Sequence, residues 1–201
     1  MKTRLGAVIA SIEIVSITAL FFLLRQEGLP AKFGVSLVFF LPITFGLHVF
    51  EEFIFPGGSG NWFKIYHPQY AKAYTQSYFF KVNAIPLVLS VLLTFGTFDY
   101  AGAFSFFGIR AWLAFLSFLA INAIFHIRGT IETKHYSPGL VVSILLYLPL
   151  TIIGFTYLLR TGVVDIVSAI VCIAIGLLIQ PVLDYIKKRN LKIEGQQQFV
   201  P

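Results

Sequence analysis

The sequence predicts an all-α, polytopic membrane bundle of about six transmembrane helices. Three observations carry that expectation. Apolar residues make up 57% of the 201-residue chain and charged residues only 12%, and the mean hydropathy is +0.83. Apolar runs of about 20 residues, the length that crosses a bilayer, recur from end to end. The remaining cations sit at the ends of those runs, where membrane proteins use them to set orientation. The formal charge of +6 therefore points to a lipid bilayer as partner and not to nucleic acid. A single cysteine, Cys172, excludes a disulfide framework and a cysteine metal site.

Six segments qualify as spans: roughly 5–24, 34–55, 82–104, 107–128, 139–159 and 163–186. The first holds Glu13 and lacks a small-residue cleavage site, so it reads as a span and not as a cleavable signal. Pro42 and Gly46 interrupt the second, which is tolerated where neighbouring helices or a cavity satisfy the freed backbone. Pro56-Gly57-Gly58-Ser59-Gly60 follows as a flexible break. Residues 61–68 carry Trp62, Lys64 and Tyr66, and residues 69–81 mix Tyr70, Tyr74, Tyr78 and Phe79 with Lys72 and Lys81. That mixture is typical of the membrane interface and predicts a short surface helix. The fifth span starts after Tyr136-Ser137-Pro138-Gly139, with Pro favoured near a first helical position. Residues 1–188 form one membrane domain, and 189–201 form a polar, solvated tail.

With six spans both termini share a side. That side holds Lys2, Arg4, Lys64, Lys72, Lys81, Arg128, Lys134, Lys187, Lys188, Arg189 and Lys192, which is eleven cations. The other holds Arg25, Lys32, Arg110 and Arg160, which is four. The imbalance places both termini in the cytoplasm, in a multi-pass protein of the cell membrane.

Against this apolar background, His48-Val49-Phe50-Glu51-Glu52 stands out. Positions i, i+3 and i+4 of a helix share a face, with Cβ atoms about 5–6 Å apart, so the three polar side chains can address one point. A charge within a span costs about 2.5–3.5 kcal/mol at its centre and marks a functional site by default. The fourth span runs the same way as the second, and Asn122 and His126 lie at its matching end. Glu132, His135 and the Tyr136–Gly139 turn follow. Glu13 joins this depth if the first helix packs beside the second; Glu13 and His135 are second choices for the site. The structural alternative for Asn122 and His126 is hydrogen bonding between helices.

His48-x-x-Glu51-Glu52, Asn122-x-x-x-His126 and Tyr136-Ser137-Pro138-Gly139 resemble, in order and spacing, the three signature motifs of the HXXEE family of bacterial and archaeal membrane proteins. The resemblance covers about residues 35–150. Its third motif continues to a hydroxyl residue, a place held here by Val142 with Ser143 next. The family's function is uncharacterised, so the resemblance implies little about activity.

The residues themselves point to a divalent metal such as zinc, which takes imidazole and carboxylate ligands and in catalytic sites keeps one position for water. His48, Glu52 and His126 make a two-histidine, one-carboxylate set. Metal binding lowers the pKa of a bound water to about 7. Glu51 would accept its proton, and Asn122 would donate to a developing oxyanion. The two glutamates can exchange roles, and a metal-free variant, with a glutamate activating water, works equally on paper. CAAX-type membrane proteases use a comparable set of residues in a different order, which is analogy only. The expected function is metal-dependent hydrolysis of a lipid-like or peptide substrate. The alternatives are a transporter or proton pathway, haem held by His48 and His126, or a scaffold without chemistry. The deciding geometry is whether the two imidazoles come within roughly 6 Å, close enough to share one ion.

Overall fold

The computed structural model describes residues 2–25, 32–74, 76–98 and 103–197, and the statements below concern those residues. They form seven helices: α1 (Lys2–Arg25), α2 (Lys32–Phe53), α3 (Ser59–Tyr66), α4 (Gln76–Gly96), α5 (Phe106–Thr133), α6 (Leu140–Arg160) and α7 (Ile166–Gln197). A 3-10 turn at Pro68–Ala73 links α3 towards α4, and Phe98 and Phe104 form an isolated bridge. The fold is all-α. Helices α2, α5 and α6 are long and apolar enough to cross a membrane, while α1, α4 and α7 contain shorter apolar stretches.

Helices α2 and α5 form the centre. Leu41 and Val49 of α2, and Trp112, Leu116, Leu119 and Ala123 of α5, are fully enclosed. Helix α1 packs along α2, α4 against both α2 and α5, and α6 and α7 against α5. The periphery is apolar as well: Ile14, Leu92, Ile152 and Ile170 are exposed on four different helices. An apolar periphery of this kind suits contact with lipid.

Pro42 lies inside α2. A proline removes the hydrogen bond to the carbonyl four residues back, here Val38. Two neighbours replace it. Thr94 of α4 donates its hydroxyl to the Val38 carbonyl at 3.3 Å, and the Trp112 indole of α5 donates to the same oxygen at 3.3 Å. The break thus ties α2 to both helices that flank it. Helix α7 approaches α5 closely at Gly176, where a Cβ would lie 2.6 Å from the Ala114 carbonyl oxygen. Small residues permit such close crossings between apolar helices.

The structure moves several boundaries. The surface helix is α3, at Ser59–Tyr66, and the next helix starts at Gln76 instead of 82. The interfacial aromatics explain the shift: Phe79 is buried, with its ring 5.6 Å from Tyr74, 5.5 Å from Phe63 and 5.5 Å from Phe53. Helix α4 ends at Gly96, short of 104, because Thr97 accepts a backbone hydrogen bond from Ser105 at 2.7 Å and the chain turns into α5. Helix α5 runs on to Thr133, and α7 continues into the polar tail as far as Gln197. Residues 198–201 lie outside the described residues.

Candidate metal site

Three segments meet where α2 and α5 end. His48, Glu51 and Glu52 come from the last turns of α2, His126 from α5, and the turn that leads from α5 into α6 closes over them. Lys134, with φ 56°, ends α5, and Gly139, with φ +100°, starts α6. The chain thereby reverses within a few residues, directly at the end of α2.

His48, Glu52 and His126 are buried, and one ligand atom from each lies within 4.8 Å of the others. Glu52 Oε1 stands 3.6 Å from His48 Nε2 and 3.5 Å from His126 Nε2. The imidazole centroids are 4.9 Å apart. These separations exceed the 2.7–3.2 Å of an ordinary N–H···O hydrogen bond. Two ligand atoms on one tetrahedral ion, with bonds of about 2.0–2.2 Å, lie about 3.3–3.6 Å apart. His126 Nε2 has no hydrogen-bond partner. A buried carboxyl group beside a second carboxylate is stable when it is protonated, paired or bound to a metal. The cluster could hold a metal ion.

The far sides of both rings meet serines. Ser137 Oγ lies 2.8 Å from His126 Nδ1, and Ser143 Oγ lies 3.5 Å from His48 Nδ1. Both serines are fully buried. The close Ser137 partner at Nδ1 fixes the His126 ring and leaves its Nε2 lone pair for an ion, the usual support of a histidine ligand, whereas the Ser143 contact with His48 is longer than an ordinary hydrogen bond.

Glu51 turns elsewhere. Its Oε2 accepts from the Val142 amide at 2.7 Å; its Oε1 accepts from the Val141 amide at 3.0 Å and from the Tyr136 hydroxyl. A carboxylate at the first turn of a helix satisfies free N–H groups and complements the helix dipole. Burial, and then the Glu51 carboxylate, push the Tyr136 phenol above its ordinary value.

Gly139 completes the cover. A Cβ there would lie 2.5 Å from His48 Cε1, 2.9 Å from His126 Cε1 and 3.1 Å from Glu52 Cγ. Tyr136 therefore binds Glu51, Ser137 supports His126, and Gly139 lies against all three candidate ligands. Trp62 of α3 borders the site from another side, its ring 6.2 Å from that of His126.

Among the described residues no hydrogen bond or ion pair joins Glu13, Asn122 or His135 to this cluster. Glu13 Oε1 is buried against Gly46 on the α1 side of α2 and has no hydrogen-bond partner. Asn122 lies one turn before His126, and its buried Oδ1 has no partner. His135 is exposed and bonded to the Thr133 carbonyl at 2.6 Å. Sequence reasoning missed Ser137 as a support, and it missed Tyr147. The available signal was a hydroxyl in an otherwise apolar span, one turn after Ser143.

The family model described as "Protein of unknown function with HXXEE motif" matches residues 39–153, more than half of the chain. No curated protein and no solved structure matches it.

Proposed function

The chain belongs to the family of proteins of unknown function with an HXXEE motif, and from the site this motif helps to build we propose a metal-dependent membrane hydrolase. One observation carries the reading: two buried imidazole Nε2 atoms converge on a single carboxylate oxygen at 3.5 and 3.6 Å. His48, Glu52 and His126 would hold a divalent ion such as zinc, and a set of three protein ligands is the kind that catalytic sites use. The ion supplies a Lewis acid and an activated water when bound. Water adds to the carbonyl or phosphoryl centre of a lipid-like or peptide substrate, and the bond to the leaving group breaks. Glu52 would be a ligand of the ion, and a carboxylate oxygen it left free would take the proton and pass it to that leaving group. The Asn122 amide donates to the oxygen on which charge develops. Glu51, with both oxygens already bonded, positions the cover. The cation imbalance of a six-span topology supports a site, and both termini, at the cytoplasmic face of the cell membrane.

Haem is a poor fit, since rings 4.9 Å apart with both Nε2 atoms facing one carboxylate leave no space for a macrocycle between them. The test is metal content of detergent-purified protein. Wild type is expected to hold about one divalent ion. His48→Ala, Glu52→Gln and His126→Ala should each lose more than the 10–100-fold in affinity that follows removal of a mere supporting group. Equal content in all four proteins removes the metal. Metal-loaded protein that hydrolyses neither long-chain esters nor peptides in mixed micelles removes the enzyme and leaves a metal-binding protein.

A further inference from the structure

Tyr147 is a fully buried phenol whose hydroxyl has no hydrogen-bond partner. Its ring is held in place by two neighbours from α2: the His48 ring lies 4.8 Å away, and Phe45 stacks on it at 6.4 Å. The hydroxyl lies within Coulombic reach of the Glu52 and Glu51 carboxylates. Tyr147 also ends the π turn Ser143–Tyr147, where the amide of Leu148 bonds to the Ser143 carbonyl five residues back. Such turns are rare and concentrate at functional sites. Here the turn keeps Ser143 and Tyr147, one helical turn apart, both buried beside His48.

An enclosed hydroxyl with no partner destabilises a fold, and phenylalanine would fill the same volume without that cost. Buried tyrosines ordinarily find a partner. Among the described residues, other polar atoms around the site are unpartnered too: His126 Nε2, Asn122 Oδ1 and Trp62 Nε1. We propose that the Tyr147 hydroxyl is the fourth working group of the site: it donates a hydrogen bond to the oxygen ligand that shares an ion with His48, Glu52 and His126. The ligand is of the oxygen-donor class, a water or a carboxylate, carbonyl or phosphoryl oxygen. The inference rests on the metal reading above and adds to it a residue outside the three motifs.

The experiment uses full-length protein in detergent, loaded with Co²⁺ and titrated with acetate, with the cobalt absorption bands as readout. Tyr147→Phe is expected to keep wild-type cobalt content and to melt no lower than wild type, yet bind acetate about tenfold more weakly, the effect of one hydrogen bond to a charged acceptor. Acetate should also perturb the near-UV tyrosine signal in wild type and not in Tyr147→Phe. Unchanged acetate affinity in Tyr147→Phe overturns the proposal and leaves the metal reading standing. Loss of cobalt from a folded Tyr147→Phe overturns it as well, by making the phenol a ligand and not a donor. Folded wild type that takes up no cobalt removes both.

Discussion

Gly139→Ala is the most direct probe of how closely the α5–α6 turn covers the cluster. The new Cβ would meet His48 Cε1 at 2.5 Å, His126 Cε1 at 2.9 Å and Glu52 Cγ at 3.1 Å. None of these atoms is the loose end of a long side chain, so something must shift. Overpacking of this kind costs about 1–3 kcal/mol. The backbone adds its own cost, because φ is +100° and a left-handed conformation costs an L-residue about 1–2 kcal/mol. The sum is about 2–5 kcal/mol. A built-in control separates the two parts. Gly58 has the same φ of +100° with nothing within 4 Å, so Gly58→Ala carries only the backbone cost. Thermal or denaturant unfolding in detergent, with metal uptake measured in parallel, reads both variants. Gly139→Ala is expected to be less stable than Gly58→Ala by about 1–3 kcal/mol and to take up less metal. Equal stability and full metal uptake in the two would refute the placement of the turn over the imidazoles.

Other variants divide the labour within the site. Glu51→Gln should keep metal affinity within about tenfold while loosening the cover by about 1–3 kcal/mol, read as faster amide exchange at Val141 and Val142; Glu52→Gln should do the reverse. Ser137→Ala removes the partner at His126 Nδ1 and should cost about 10–100-fold in metal affinity with little change in unfolding. At the far end of the bundle, Asp165 caps α7 through the Ser168 hydroxyl at 2.6 Å and the Ser168 amide at 2.9 Å, and it pairs with Arg110 at 3.5 Å. The Ser168 hydroxyl, then its amide, draw the Asp165 carboxyl from its ordinary 3.8 down to about 2. A depressed acid stabilises the fold above its unfolded value and loses that contribution as pH falls through the folded one. Asp165→Asn should therefore weaken the fold near pH 5 and match wild type below about pH 2, by circular dichroism across an acid titration.

How far the sequence reaches is clearest at adjacent positions. Glu51 and Glu52 are indistinguishable in it: both are acids and both lie within a turn of His48. On a helix, successive residues point about 100° apart, so neighbours cannot serve the same partner equally. Position i+4 shares His48's side and meets His126, whereas position i+3 meets the amides of α6. What decides between them is the placement of two other helices, which spacing within α2 does not encode. The same holds for Pro42. Its break is legible as a missing hydrogen bond at Val38, but the donors that replace it come from Thr94 and Trp112, far along the chain. The all-α class and the six apolar segments were legible because each depends on local composition alone. Boundaries near aromatic stretches were not, since Phe79 and Tyr74 read as interface residues until their mutual burial is seen. Ser143 and Tyr147 were legible only as hydroxyls in an apolar span. Their bearing on His48 depends on a π turn, and Pro149 just after it is the one local cue, since proline cannot continue an α-helical hydrogen-bond ladder. The paired acids therefore encode two jobs: one carboxylate converges on the imidazoles, and the other anchors the segment that covers them. An exchange of the two side chains' surroundings would break both at once, which is why the pair is more informative together than either acid alone.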